Sequence, residues 1–184
     1  LATSHFEHEA FLGAQDTGED LKKINVRYVI VGHSDRRWKL GETDEVVNKK
    51  LKFVLENEMT PIVCIGERMR EQGFEGFLKE QTLKTFEGVS ADDISKCIVA
   101  YEPVWAISTE PNAQPDTPES ALASIKIIKE TLGRLSPVAC RFLYGGSVTS
   151  RNVRDFIAHE EISGVLIGGA SVDKEEFVRI LSQI

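Results

Sequence analysis

The sequence predicts an α/β fold made of strand–helix units on a parallel sheet. Three observations predict it. Five short apolar runs each stop at a glycine or a polar turn, stripes with helical spacing lie between them, and no linker or low-complexity tract divides the chain. Runs that are apolar on both sides of the pleat suit strands covered on both faces.

Taken in order, Ala10–Ala14 is a candidate strand, and Val26–Val31 before Gly32 is the first clear one. Val47, Leu51, Val54 and Leu55 recur at i, i+4, i+7 and i+8 and predict an amphipathic helix. Pro61–Ile65 before Gly66 and Cys97–Tyr101 before Glu102-Pro103 are the next strands. Ala121, Ile125, Ile128 and Leu132 predict a second helix, with Thr117 as N-cap, Pro118 in the first turn and Gly133 as the stop. Cys140–Tyr144 and Gly164–Ile167 are the last strands. Phe177, Ile180, Leu181 and Ile184 form the final stripe, and Asp173 with Glu176 has the spacing of a capping box. Six such units fit the length, whereas an eight-unit barrel usually takes ~250 residues, so length alone favours an open, doubly wound sheet.

Composition narrows the function. The 184 residues carry 22 Lys+Arg against 29 Asp+Glu, a net charge of −7, which argues against binding nucleic acid or anionic lipid through the overall field. No apolar run approaches the ~20 residues a membrane span requires, and residues 1–10 show no secretory core. Cys64, Cys97 and Cys140 are odd in number and sit in apolar stretches, as buried free thiols of a reducing, cytoplasmic compartment would. No Cys/His ligand spacing predicts a metal site.

The chemistry gathers at the strand ends. Gly32-His33-Ser34-Asp35, Glu102-Pro103, Gly145-Gly146-Ser147 and Gly168-Gly169 each follow a strand, and in a parallel sheet these ends share one face. Each motif alone is weak. A lone Glu is usually solvated or paired, a lone His is usually structural, and one Gly-Gly pair is as often a tight turn as a phosphate cradle. Arg36-Arg37 reads best as ion-pairing residues, and His5, His8 and His159 as surface ones.

Tyr28–Arg37 (YVIVGHSDRR), Ala100–Ile107 (AYEPVWAI), Tyr144–Val148 (YGGSV) and Ile167–Val172 (IGGASV) resemble the triosephosphate isomerase family in order and nearly in spacing. The resemblance runs from about Leu12 to Ile184. It implies a (β/α)8 barrel, with about six of its units represented in residues 1–184 as a single domain. It also implies interconversion of dihydroxyacetone phosphate and glyceraldehyde 3-phosphate without a cofactor. By position, Glu102 matches the family's general base and His33 the imidazole that polarises the carbonyl. Ser108, Ser147, Gly168 and Gly169 match the phosphate contacts, Tyr144 the residue that latches the lid, and Asp35 stands where the family has Glu. The substrate implied is a small phosphorylated three-carbon sugar.

Three departures go with the resemblance. The family's opening units, with the Asn and Lys that end its first strand, have no counterpart, so the expectation is an N-terminally incomplete barrel. The segment after Gln15 is shorter than the family loop that builds its homodimer, which argues against that dimer. The lid runs Ser108-Thr109-Glu110-Pro111 where the family has Gly-Thr-Gly, putting a carboxylate near a phosphate dianion. The competing expectation is a catalytically impaired or inactive relative that only binds phosphorylated ligands or a protein partner.

Overall fold

The computed structural model describes residues 18–136 and 140–184. The candidate strand Ala10–Ala14, His5, His8 and the segment after Gln15 as far as residue 17 lie outside the described residues. Within them the chain runs α1 (Gly18–Lys23), β1 (Tyr28–Val31), α2 (Asp44–Glu56), β2 (Thr60–Ile65), α3 (Phe74–Thr85), α4 (Ala91–Lys96), β3 (Ile98–Tyr101), α5 (Pro118–Gly133), β4 (Arg141–Tyr144), α6 (Val153–Ile157), β5 (Gly164–Val165) and α7 (Lys174–Leu181). All five predicted strands form; four are trimmed by one or two residues at an end, and β2 starts one residue earlier, at Thr60.

The five strands are parallel and lie in the order β1-β2-β3-β4-β5. That order decides between the two architectures. A doubly wound sheet reverses its strand order at a switch point, so that helices cover both faces. Here every crossover steps the same way, and right-handed crossovers then put all helices on one face, as in a barrel wall. The register sets the C-terminal ends side by side, with Val31 opposite Val63, Ile65 opposite Tyr101 and Tyr101 opposite Tyr144.

The pleat sorts the apolar residues into two sets. Val29, Val31, Val63, Ile65, Val99, Tyr101, Phe142 and Tyr144 pack against the helices in the main core. Ile62, Cys64, Ile98 and Ala100 point the other way and form a smaller cluster with Ile30, Leu143 and Leu166, the lining of the barrel interior.

The helices follow their sequence signals unevenly. Val47, Leu51 and Val54 of α2 are fully buried, and Thr43 accepts the N–H of Val46 at 3.4 Å as N-cap. In α5, Thr117 accepts the N–H of Ser120 and Pro118 opens the first turn, while the helix includes Gly133 and is capped by Arg134. The expected capping box on α7 forms by half. Asp173 accepts the N–H groups of Glu175 and Glu176, both at 3.0 Å. The Glu176 carboxylate instead takes the N–H of Ser150 at 2.6 Å and the Ser150 hydroxyl at 3.1 Å, because the turn after β4 offers nearer donors.

Four helices, α1, α3, α4 and α6, lack an apolar stripe in the sequence. α3 turns a largely polar face inward, burying Leu78 with Gln81, Thr82 and Thr85. Gln81 accepts the N–H of Gly66, and Arg37 reaches Thr85. α1 and α4 have only six residues each and α6 five, too few to display a period.

Candidate active site

The turn after β1 carries the imidazole. Gly32 has φ +72°, and a Cβ there would lie 2.8 Å from Arg37 Nη2 and 2.9 Å from Val47 Cγ1, so only glycine lets the chain turn this close to α2. Arg37 locks the turn from behind, donating to Gly32 O at 2.7 Å and pairing with Asp44 at 2.5 Å. Arg36 pairs with Glu42. Both arginines therefore serve as the ion-pairing residues expected of them. From this turn, the Asp35 N–H donates to His33 Nδ1 at 3.2 Å. An accepting Nδ1 leaves the ring proton on Nε2, the nitrogen that faces the site.

The turn after β3 carries the carboxylate. Glu102 continues the ladder by donating its N–H to Ile65 O at 2.9 Å. At Gly66 on the neighbouring strand end, a Cβ would lie 1.8 Å from Glu102 O, so glycine is required for this close approach. The Glu102 side chain is 5% exposed. Its Oε2 accepts the Ser34 N–H at 2.9 Å, and its Oε1 accepts the Ser34 hydroxyl at 3.0 Å. His33 Nε2 is 3.1 Å from the same Oε1. Burial raises the Glu102 pKa, against the opposing pull of His33 and the two Ser34 hydrogen bonds.

The remaining predicted residues converge on the same rim. The Ser108 N–H, in the segment between β3 and α5, donates to Ser147 Oγ at 2.7 Å. A Cβ on Gly169 would lie 3.9 Å from Ser108 Oγ, so the Gly168-Gly169 turn faces that segment too. Asp35 holds Lys39 Nζ at 2.5 Å and takes no hydrogen from the Nδ1 of His33, 3.9 Å away. Tyr144 is buried, with its ring stacked on Phe156 at 3.8 Å between centroids. Burial, then the Asp116 carboxylate, push its pKa up.

Three residues matter that the sequence reading gave no role: Ser34, Glu67 and Arg70. Ser34 holds Glu102. Glu67, which follows β2, accepts from Arg70 at 2.8 Å, Tyr101 at 2.9 Å and the Trp105 indole at 2.9 Å, all on Oε1. Arg70 also reaches Ser120 and Ser124 of α5. A carboxylate after Ile65-Gly66, at the end of a predicted strand, was the available signal for Glu67. Among the described residues, no group of three His, Cys, Asp or Glu side chains is placed to hold a metal, and no helix is long and apolar enough to cross a membrane.

Fold and site together define a parallel α/β-barrel protein with a carboxylate–imidazole pair and glycine-rich turns at the C-terminal strand ends. Comparison with known proteins narrows this class. The family model described as triosephosphate isomerase matches residues 5–184. Triosephosphate isomerase of Mycoplasmoides gallisepticum is 42% identical over 171 residues, covering 89% of this chain and 66% of that protein. The Caldanaerobacter subterraneus enzyme of the same name is 44% identical, with 88% and 67% covered, and that of Lacticaseibacillus casei 41%, with 96% and 72% covered. The chain belongs to the triosephosphate isomerase family, and it spans about two thirds of the length of the first two relatives.

Proposed function

We propose that the protein interconverts dihydroxyacetone phosphate and D-glyceraldehyde 3-phosphate, an aldose–ketose isomerisation without a cofactor, in the cytoplasm. The observation that carries this reading is the meeting of His33 Nε2 and Glu102 Oε1 at 3.1 Å from the ends of β1 and β3. Moving a proton between adjacent carbons needs a base beside the carbon and a hydrogen-bond donor beside the oxygen where charge develops. Glu102 is the base. It takes a proton from C1 of the ketose to form an enediolate with its charge on O2, the hydroxyl proton of O1 passes to O2 by way of His33, and Glu102 returns its proton to C2 as the aldehyde forms at C1. The proton on His33 Nε2 hydrogen-bonds the oxygens as charge builds on them. A carboxylate whose pKa is raised by burial holds the abstracted proton at smaller cost, which suits this role.

Ser34 holds Glu102 through both of its oxygens, so the carboxylate swings off Ser34 to reach the carbon. The Ser108 N–H, Ser147, Gly168 and Gly169 bind the phosphate, and the Ser108–Ser147 hydrogen bond opens as phosphate takes both partners. Asp35 and Tyr144 support the imidazole turn and the lid. The partner is a small phosphorylated three-carbon sugar, and neither nucleic acid nor a membrane takes part. The test is a coupled assay of glyceraldehyde 3-phosphate isomerisation on protein of confirmed mass, with no metal or nucleotide added. Turnover in the wild type that is lost in Glu102→Gln supports the reading. Phosphate binding without turnover in the wild type overturns it.

A further inference from the structure

The lid residue that departs from the family has a partner. The segment from Ser108 to Gln114 folds on itself: Glu110 N–H donates to Ile107 O at 2.8 Å, Ala113 N–H to Glu110 O at 3.3 Å, and Gln114 N–H to Trp105 O at 3.0 Å. Asn112 turns the chain with φ +62°. This frame holds Glu110 with its side chain 24% exposed, and its Oε1 lies 3.3 Å from Lys39 Nζ. Lys39 ends the helical turn that begins at Asp35, and its Nζ is also 2.5 Å from Asp35 Oδ1, two residues beyond His33. One ammonium therefore joins the lid to the imidazole turn. The ammonium offsets part of the charge of the two carboxylates it joins, so the repulsion Glu110 would exert on a phosphate is reduced.

We infer that Lys39 and Glu110 form an electrostatic latch that holds the lid in the position where the Ser108 N–H faces Ser147. They are positioning residues, since neither touches the reacting atoms. The inference rests on the isomerase reading only where activity or phosphate affinity is measured. A half-exposed pair of this kind shifts an equilibrium about two- to fivefold, and salt screens it. When fewer molecules have the lid seated, apparent phosphate affinity falls in proportion to the seated fraction, a smaller factor than the shift in the equilibrium.

The experiment is amide hydrogen exchange of the segment 108–115, paired with calorimetric titration of inorganic phosphate, at low and high salt. At low salt, Glu110→Gln exchanges two- to fivefold faster than wild type and binds phosphate more weakly, by the smaller factor set by the loss of seated fraction. Lys39→Met exchanges equally fast, and the double variant no faster than either single one. The charge swap K39E/E110K restores protection. High salt brings the wild type to the level of Glu110→Gln and leaves that variant unmoved. Glu110→Gln is the cleaner variant, because Lys39→Met also releases Asp35 beside His33. Wild-type exchange rates in Glu110→Gln at low salt overturn the latch. A wild type that binds no phosphate and turns nothing over overturns the isomerase reading instead, and the exchange data still decide the latch.

Discussion

Replacing Ser34 with Ala tests how Glu102 is held while no substrate is present. The substitution removes one oxygen from a buried residue and leaves the backbone N–H on Glu102 Oε2 in place. What is lost is the hydroxyl donor 3.0 Å from Oε1. A hydrogen bond to an ionised group contributes about 1.5–3 kcal/mol, so Ser34→Ala loses that much stability where Glu102 is charged. At about 2.1 cal/mol/K of unfolding entropy per residue, this is a fall in Tm of about 4–8 °C.

The pH dependence has a definite sign. The folded pKa of Glu102 is raised, so stability from its neutral form is full below the unfolded pKa and is lost as pH rises through the folded one. Losing a donor to the charged form raises the folded pKa further. The gap in Tm between wild type and Ser34→Ala therefore widens from pH 4.5 to pH 8, and the acid limb of kcat/KM moves to higher pH. Thermal unfolding across that range, with pH–rate profiles on the same samples, is the assay. A Tm within 1 °C of wild type at pH 8, with an unmoved acid limb, would refute the idea that the Ser34 hydroxyl holds an ionised carboxylate.

Three further outcomes follow from the same geometry. Glu102→Asp withdraws the carboxylate by one methylene, and since ~1 Å of misplacement costs about 100-fold, kcat falls by that order while calorimetry shows phosphate affinity unchanged. Glu67→Ala leaves Arg70 without its carboxylate and the Trp105 indole without its acceptor, a loss of about 3 kcal/mol in urea unfolding, while Glu67→Gln, which keeps one acceptor oxygen, loses less. Burial pushes the Cys97 thiol up to about 12 and the Cys140 thiol up to about 11, so at pH 8 thiol reagents label both slowly in the native protein and rapidly in urea, with half-buried Cys140 ahead of Cys97.

Features carried by neighbours in the sequence were legible without coordinates. Each strand is a run of apolar residues that stops at glycine or a polar residue, and α2 and α5 announce themselves by period and N-cap, because these signals act within a few residues. The strand-end rule also brought His33 and Glu102 to one rim before any distance was known. α3 was not legible, since its inward face is Gln81, Thr82 and Thr85, residues that earn burial by bonding to Gly66, Arg37 and their own helix.

Tertiary structure alone decided what depends on contact between distant residues. Length alone favoured a doubly wound sheet while the motif resemblance implied a barrel; the sequential strand order bears out the barrel, with the helices on one face and the inward set Ile62, Cys64, Ile98 and Ala100 on the other. Ser34 and Glu102 are 68 residues apart, and nothing local to either predicts that the serine holds the base. In the sequence Glu110 is only a carboxylate near a phosphate site and Lys39 carries no signal, and their pairing exists because the turns after β1 and β3 end on the same rim. Local patterning sets which backbone state each segment adopts. Which side chains then meet is decided by crossover handedness and strand register, which no short window of sequence encodes.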